Sequence, residues 1–191
     1  MDVRKLTVHD IPAVARLHHE AIPDSPASLI GVPYLAKLYL WFIRQPMHEG
    51  LIAVDDGRVV GVITLTRDLT HSQSEFARGL RYITAFGMVR LLFTGRVRPS
   101  VLVERYRFER AIKTFPQPYA TIQTLAVARN ARRKGIGRRL VRRIGEGVHG
   151  SDELFVDTLR TNNIAQAFYT AAGFRKFRIV ADSVVFVKKL H

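Results

Sequence analysis

Leu125-Ala126-Val127-Ala128-Arg129-Asn130-Ala131-Arg132-Arg133-Lys134-Gly135-Ile136-Gly137-Arg138-Arg139-Leu140 is the stretch on which the reading of this chain turns. Its apolar start reads as a buried strand, its two glycines permit close backbone approach, and an arginine-rich helix follows. The first N–H groups of such a helix lack intrahelical partners, so a strand-to-helix turn of this kind is a seat for phosphate. Two familiar phosphate loops do not fit. A Walker loop needs Lys followed by Ser or Thr after its last glycine, and a dinucleotide fingerprint needs a third glycine; here Arg138-Arg139-Leu140 follows Gly137. Eight basic residues and no acid lie between Arg129 and Arg143. On a bare helix that run is a solvated face or a nucleic-acid stripe.

The rest of the chain limits the choice. With 191 residues, 47% hydrophobic and 24% charged, it is expected to form a single domain over 1–191 and is too apolar for a disordered tail. The absence of cysteine excludes a disulfide scaffold, a zinc finger, a thiol nucleophile and an iron–sulfur site. The scattered histidines, including adjacent His18 and His19, show no metal-ligand spacing, so no metal is expected. A net charge of +14 implies an anionic partner: a phosphorylated cofactor, nucleic acid or an acidic membrane surface. The N-terminus carries no apolar signal-like run, and a cytoplasmic location is expected, with peripheral attachment to the inner membrane face as the variant. The most membrane-like stretch, Gly79 to Gly95, contains Arg81 and Arg90 and falls short of the ~20 apolar residues of a spanning helix.

Periodicity predicts a strand over Val3 to Val8, a helix from Asp10-Ile11-Pro12 to about Ala21, a break at Pro23 to Pro26 and a second helix over Pro33 to Ile43. Gly50 to Val54 and Val59 to Thr66, joined by Asp55-Asp56-Gly57, form the clearest hairpin. Residues 68–118 change character: Leu80, Ile83, Gly87, Met88, Leu91 and Leu92 stand at helical spacing, and nine basic residues oppose three acids between His71 and Pro118. This reads as a helical insertion between the third and fourth strands. After it come a strand over Thr121 to Ala128, a helix over Arg132 to Val148, a strand over Leu154 to Leu159, a helix over Ala165 to Ala172 and a closing strand over Ile179 to Lys188. The order predicts an α/β fold with a mixed sheet and helices on both faces.

Two motifs carry a resemblance. Arg132-x-x-Gly135-x-Gly137 resembles the coenzyme A pyrophosphate loop of the GCN5-related N-acetyltransferases, the GNAT family, and Leu125-Ala126-Val127 resembles that family's fourth strand. Downstream, Asn162-x-x-Ala165-x-x-Phe168-Tyr169, ending in Gly173-Phe174, is similar to the family's Asn-x-x-Ala-x-x-aromatic-Tyr helix. The resemblance covers the first helices and the hairpin as well; segment 68–118 departs from the minimal family pattern. It implies a mostly antiparallel sheet and acetyl-CoA as cosubstrate. Backbone groups of Leu125, Ala126 and Val127 would hold the pantetheine arm, and Arg132, Arg133, Lys134, Gly135, Ile136, Gly137 and Arg138 would surround the pyrophosphate. Asn162, Ala165, Phe168 and Tyr169 would complete the site.

The resemblance also implies the chemistry. A neutral acceptor amine attacks the thioester, a main-chain N–H near Val127 polarises the carbonyl, and the Tyr169 phenol protonates the departing thiolate. Several family members carry a strand glutamate as base, but Thr121-Ile122-Gln123-Thr124 stands here, and neutral Gln123 is left to orient a water. Candidates for the base are Asp24, His71, Glu75, Glu104 and Glu109. Asn162 is equally a plain helix cap, Tyr169 a half-buried aromatic, Gly173 a helix terminator and Phe174 a core residue. Segment 68–118 is either a lid over the acceptor or a face for an anionic membrane or a partner protein. A homodimer is compatible with the reading, and nucleic acid is the disfavoured partner. The competing functions are a basic nucleic-acid- or membrane-binding module and an acyl-CoA sensor without turnover.

Overall fold

The computed structural model describes residues 1–68, 72, 80–95, 97, 100, 103–104, 107, 110, 120–148 and 153–190. Seven strands form one sheet in the order β1-β2-β3-β4-β5-β7-β6. They are β1 (Asp2–Lys5), β2 (His48–Asp55), β3 (Arg58–Thr66), β4 (Ala120–Val127), β5 (Glu153–Leu159), β6 (Arg175–Val180) and β7 (Ser183–Lys189). Every neighbouring pair is antiparallel except β4 with β5. The β2–β3 turn sits where Asp-Gly placed it, with Asp56 at φ 47° and Gly57 at φ 72°, the left-handed values a tight hairpin requires.

The helices divide between the two faces. On one side lie α1 (Ile11–Ala21), α2 (Pro26–Ile30), α3 (Val32–Ile43) and α4 (Arg81–Phe93). Val14, Ala15, Leu17, Leu35 and Tyr39 close against Ile52, Val62 and Ala126 of the sheet. On the other side lie α5 (Ile136–Glu146) and α6 (Asn163–Ala171). There Ile136, Leu140, Val141 and Ile144 at i, i+4, i+5 and i+8 pack with Leu51, Ile63, Leu65, Leu154, Val156 and Phe186. The centre of the sheet is therefore covered on both faces, and along β2 and β3 successive residues such as Leu51 and Ile52, or Val62 and Ile63, alternate between the two cores.

Three sequence expectations are corrected. The first helix ends at Ala21 as expected, but the break closes at Ser25: Pro26 opens an unexpected short helix, α2, whose N-cap Ser25 accepts a hydrogen bond from Ser28 N at 3.1 Å. The helix expected from Arg132 begins only at Ile136, because Arg133 (φ 63°) and Gly135 (φ 78°) are left-handed and break the helical path. The single closing strand is a hairpin, β6 and β7, turned through Ala181 at φ 51°. That turn has no glycine, and β6 is an outer strand of mainly basic residues, so neither the turn nor the alternation was visible. In the segment between β3 and β4, α4 packs on α2: a Cβ on Gly87 would meet the Ile30 side chain at 2.9 Å, and Tyr34 Oη is 2.9 Å from Thr84 Oγ1.

Candidate active site

The one parallel pair creates the opening. β4 and β5 are paired only at Ala120–Leu154, Thr121–Phe155 and Ile122–Val156, yet β4 continues to Val127 and β5 to Leu159. Beyond Ile122 and Val156 the strands part and leave a fork between them. A bulge marks the point: Thr124 pairs with Thr64 and Ile122 with Leu65, so Gln123 is the extra residue, and its side chain is exposed. Ala128 N donates to Val60 O at 2.9 Å. By antiparallel alternation Ala126 and Thr124 therefore exchange their bonds with β3, while the N–H and C=O groups of Leu125 and Val127 face the fork.

The phosphate seat lies at the fork's end. Gly135 caps α5, and the N–H groups of Ile136, Gly137 and Arg138 head that helix before Arg139 N donates to Gly135 O at 3.0 Å. Nothing lies within 4 Å of a Cβ built on Gly135. Arg133, Lys134 and Arg138 are exposed beside it. Arg132 is engaged otherwise: its Nε donates to Val127 O at 3.2 Å, and its guanidinium reaches Ala21 O at 3.1 Å, which ties the loop to β4 and to the C-terminal end of α1. Gly137 serves packing, because a Cβ there would meet Phe168 at 3.1 Å. The loop and the α6 motif thus touch each other through a glycine and an aromatic ring.

In α6, Asn162 Oδ1 accepts from Ala165 N at 3.0 Å, so the cap is real and the side-chain amide N–H groups remain for a ligand. Gly173 is left-handed at φ 89° and ends the helix; Phe174 is buried in the core. Tyr169 is 7% exposed among Phe168, Phe174 and Phe186. Burial raises its hydroxyl well above the ordinary phenol range, and the charge of Asp157 adds to that. Asp157 is the first residue of β5 within the fork, exposed, and on the face opposite Leu154 and Val156. Sequence reading passed over it because a lone acid in an apolar strand carries no spacing signal; only the strand pairing places it.

The expected bases fare differently. Asp24 is exposed in the turn between α1 and α2. Glu104 pairs with Arg107 at 2.9 Å. His71, Glu75 and Glu109 lie outside the described residues. Sequence reading also missed a buried polar chain on the α1–α3 face. His18 Nδ1 is 2.8 Å from Tyr39 Oη, Tyr39 is hydrogen-bonded to Thr124 beside the bulge, and His18 Nε2 is 3.4 Å from Ser25 Oγ. Burial, with the nearby His19 as second cause, pushes the His18 pKa down to about 4, so its ring is neutral near pH 7.

That depression makes stability depend on pH. Between about pH 6.5 and 4 an unfolded His18 takes up a proton that the folded one refuses, so stability falls as pH falls through this window, by up to about 3 kcal/mol. Asp10, whose carboxyl is held low chiefly by the Arg4 guanidinium, acts below its unfolded value near 3.8 and so in a separate range. Urea unfolding at pH 7 and at about pH 5 should show the loss in wild type, and a flatter dependence in His18→Gln.

The model of the Acetyltransferase (GNAT) family matches residues 14–174. The chain belongs to the GNAT acetyltransferase family. It is an N-acetyltransferase with acetyl-CoA as cosubstrate, as the two motifs implied. No curated protein matches its sequence significantly. Solved structures share the fold at low identity. One is the protein smu.2055 of Streptococcus mutans UA159, 19% identical with TM-score 0.65 over all of both chains. Another is the ribosomal-protein-S18-alanine N-acetyltransferase of Escherichia coli, 13% identical with TM-score 0.61 over 99% of this chain and 93% of that one. A third is the PaiA N-acetyltransferase of Thermoplasma acidophilum in complex with coenzyme A, 16% identical with TM-score 0.60 over 98% of each. At the bulge of β4 stands Gln123, a neutral and exposed amide. Among the described residues no helix is long and apolar enough to cross a membrane, and no cluster of three or more metal-ligating side chains is present.

Proposed function

We propose that the enzyme acetylates a primary amine of a small molecule, an amino sugar or a peptide terminus by direct attack within a ternary complex. The observation that carries this reading is the parting of β4 from β5 just beyond Ile122 and Val156, with Gln123 the next residue on one strand and Asp157 the next on the other. The cosubstrate lies along the open edge of β4, with Leu125 and Val127 holding the pantetheine arm and the head of α5 holding the pyrophosphate beside Arg133, Lys134 and Arg138. Arg132 acts through the loop it anchors. Asn162 contributes its side-chain amide, and Ala165 and Phe168 wall the α6 side.

The acceptor enters from the α1–α3 face. An unperturbed amine with a pKa near ~10.4 costs roughly 4.6 kcal/mol to deprotonate at pH 7. Asp157 accepts that proton, directly or through a water held by Gln123. The amine lone pair then bonds to the carbonyl carbon, the carbonyl oxygen is stabilised by a main-chain N–H near Val127, the carbon–sulfur bond breaks, the sulfur takes up a proton from Tyr169, and the surplus proton on the new amide nitrogen passes through solvent to restore the Tyr169 hydroxyl. A hydroxyl whose pKa burial has raised stays protonated across the working range, as a donor must. The helix α4 walls the acceptor side; its packing on α2, away from α5, supports this reading. With +14 on the chain, a polycation is the disfavoured acceptor.

A panel of neutral amino sugars, peptides and polyamines incubated with acetyl-CoA, scored by free thiol and by one added acetyl in the product mass, tests the reading. Turnover of one class over the others is the expected result. Coenzyme A binding without thiol release on any amine would make the protein a sensor, and the absence of coenzyme A binding would reject the site.

A further inference from the structure

The helix α4 has two apolar faces, and among the described residues only one of them is packed. Leu80, Thr84, Gly87 and Leu91, at i, i+4, i+7 and i+11, turn inward: Leu80 and Leu91 are buried, Thr84 meets Tyr34, and Gly87 abuts Ile30. The outer face carries Ile83, Phe86, Val89 and Phe93, with Arg90 among them. Phe86 is 75% and Phe93 88% exposed, and with Tyr82 at 71% they form the densest group of exposed large apolar side chains among the described residues. A lone exposed apolar residue needs no explanation, but a row of aromatics along one helix marks an interaction surface.

Charge selects the occupant. No acid lies between Arg81 and Phe93, the surrounding stretch from His71 to Pro118 has nine basic residues against three acidic, and the chain carries +14. A second copy would set two faces that each carry Arg90 and no acid against one another, between two strongly positive molecules, which opposes self-association. An anionic lipid surface matches both features: aromatic rings favour the boundary between headgroups and acyl chains, and arginine pairs with headgroup phosphates. At 1.5 Å per residue the helix of 13 residues is about 20 Å long, suited to lying in the interface rather than crossing it.

We propose that the outer face of α4 seats this enzyme on an anionic bilayer, with Phe86 and Phe93 entering the acyl boundary and Arg90 meeting headgroup phosphate. The inner face of α4 stays on α2, so the sheet and the fork ride above the membrane without rearrangement. This surface shares no residue with the coenzyme A site, and it would stand even if the proposed acceptor class were wrong.

Flotation with phosphatidylcholine vesicles, with and without phosphatidylglycerol, tests it. The expected result is association with the phosphatidylglycerol vesicles only, weakened by salt. The double variant Phe86→Ser/Phe93→Ser should lose at least about tenfold in partitioning, with unchanged thermal midpoint and unchanged coenzyme A affinity. Arg90→Gln should lose less. No association of wild type with phosphatidylglycerol vesicles, equal association with both vesicle types, or full retention by the double variant would overturn the proposal. So would a dimer in solution that the same double variant dissociates, since the face would then belong to a second copy.

Discussion

Tyr169→Phe should bind coenzyme A as tightly as wild type and turn over about 10²- to 10⁴-fold more slowly, the usual span for loss of a positioned proton donor. The ring stays. Its contacts with Phe168, Phe174 and Phe186 do not involve the oxygen, and burying Phe in place of Tyr leaves no polar atom unpaired, so the fold should tolerate the change. The pH profile separates this loss from that of a base. Because the Tyr169 hydroxyl is raised above the ordinary phenol range, it remains protonated at every pH where the enzyme is stable, and the deficit of Tyr169→Phe should be constant from pH 6 to 9. Asp157→Asn should instead recover as pH rises, because the acceptor amine then loses its proton to solvent at no cost to the enzyme. A Tyr169→Phe enzyme with wild-type turnover would remove the hydroxyl from the mechanism. A pH-independent loss in Asp157→Asn would remove the carboxylate.

The second large effect concerns the two glycines, which resemble each other in the motif and differ in the fold. Gly135→Val places a branched side chain at φ 78°, where an L residue is strained by roughly 1–2 kcal/mol, but into open space. Coenzyme A affinity should fall by more than about tenfold as the side chain occupies the room for the pyrophosphate. Gly135→Asn separates the two contributions, since asparagine tolerates the left-handed region: stability should return while affinity stays low. Gly137→Val acts through the interior. Its Cβ meets the tip of the Phe168 ring at 3.1 Å, so the ring must give way to the branched side chain, with about 1–3 kcal/mol lost in overpacking and a weaker site as a consequence. Gly137→Val/Phe168→Leu should regain stability if that contact is the cause. Equal calorimetric affinities for Gly135→Val and wild type would contradict the placement of the pyrophosphate.

Much of this was legible in the letters because the motifs encode backbone constraints. Asp56-Gly57 announces a hairpin, Gly173 the end of a helix, and the apolar strand before Gly135-x-Gly137 a strand-to-helix turn, although the helix was expected to start at Arg132 and the left-handed Gly135 delays it to Ile136. What the letters hide is set by pairing across the sheet. Gln123 looks like an interior strand residue until the β3–β4 register makes it a bulge, and Asp157 looks like a stray acid until the β4–β5 pairing stops one residue before it. The resemblance makes Arg132 a cofactor ligand, and in the fold two of its guanidinium nitrogens also donate to the carbonyl oxygens of Val127 and Ala21. His18 and Tyr39 are 21 residues apart, a separation that no local pattern bridges. The β6–β7 hairpin escaped because Ala181 takes a left-handed conformation without the glycine that would signal it.

Amide hydrogen exchange with and without coenzyme A tests the fork most directly. If the cosubstrate lies along the open edge of β4 and on the head of α5, the amides of Leu125, Val127 and residues 136–138 should slow strongly on binding, while the β6–β7 hairpin should be unaffected. Protection elsewhere, with Leu125, Val127 and the first turn of α5 unchanged in a protein that binds coenzyme A, would contradict the account.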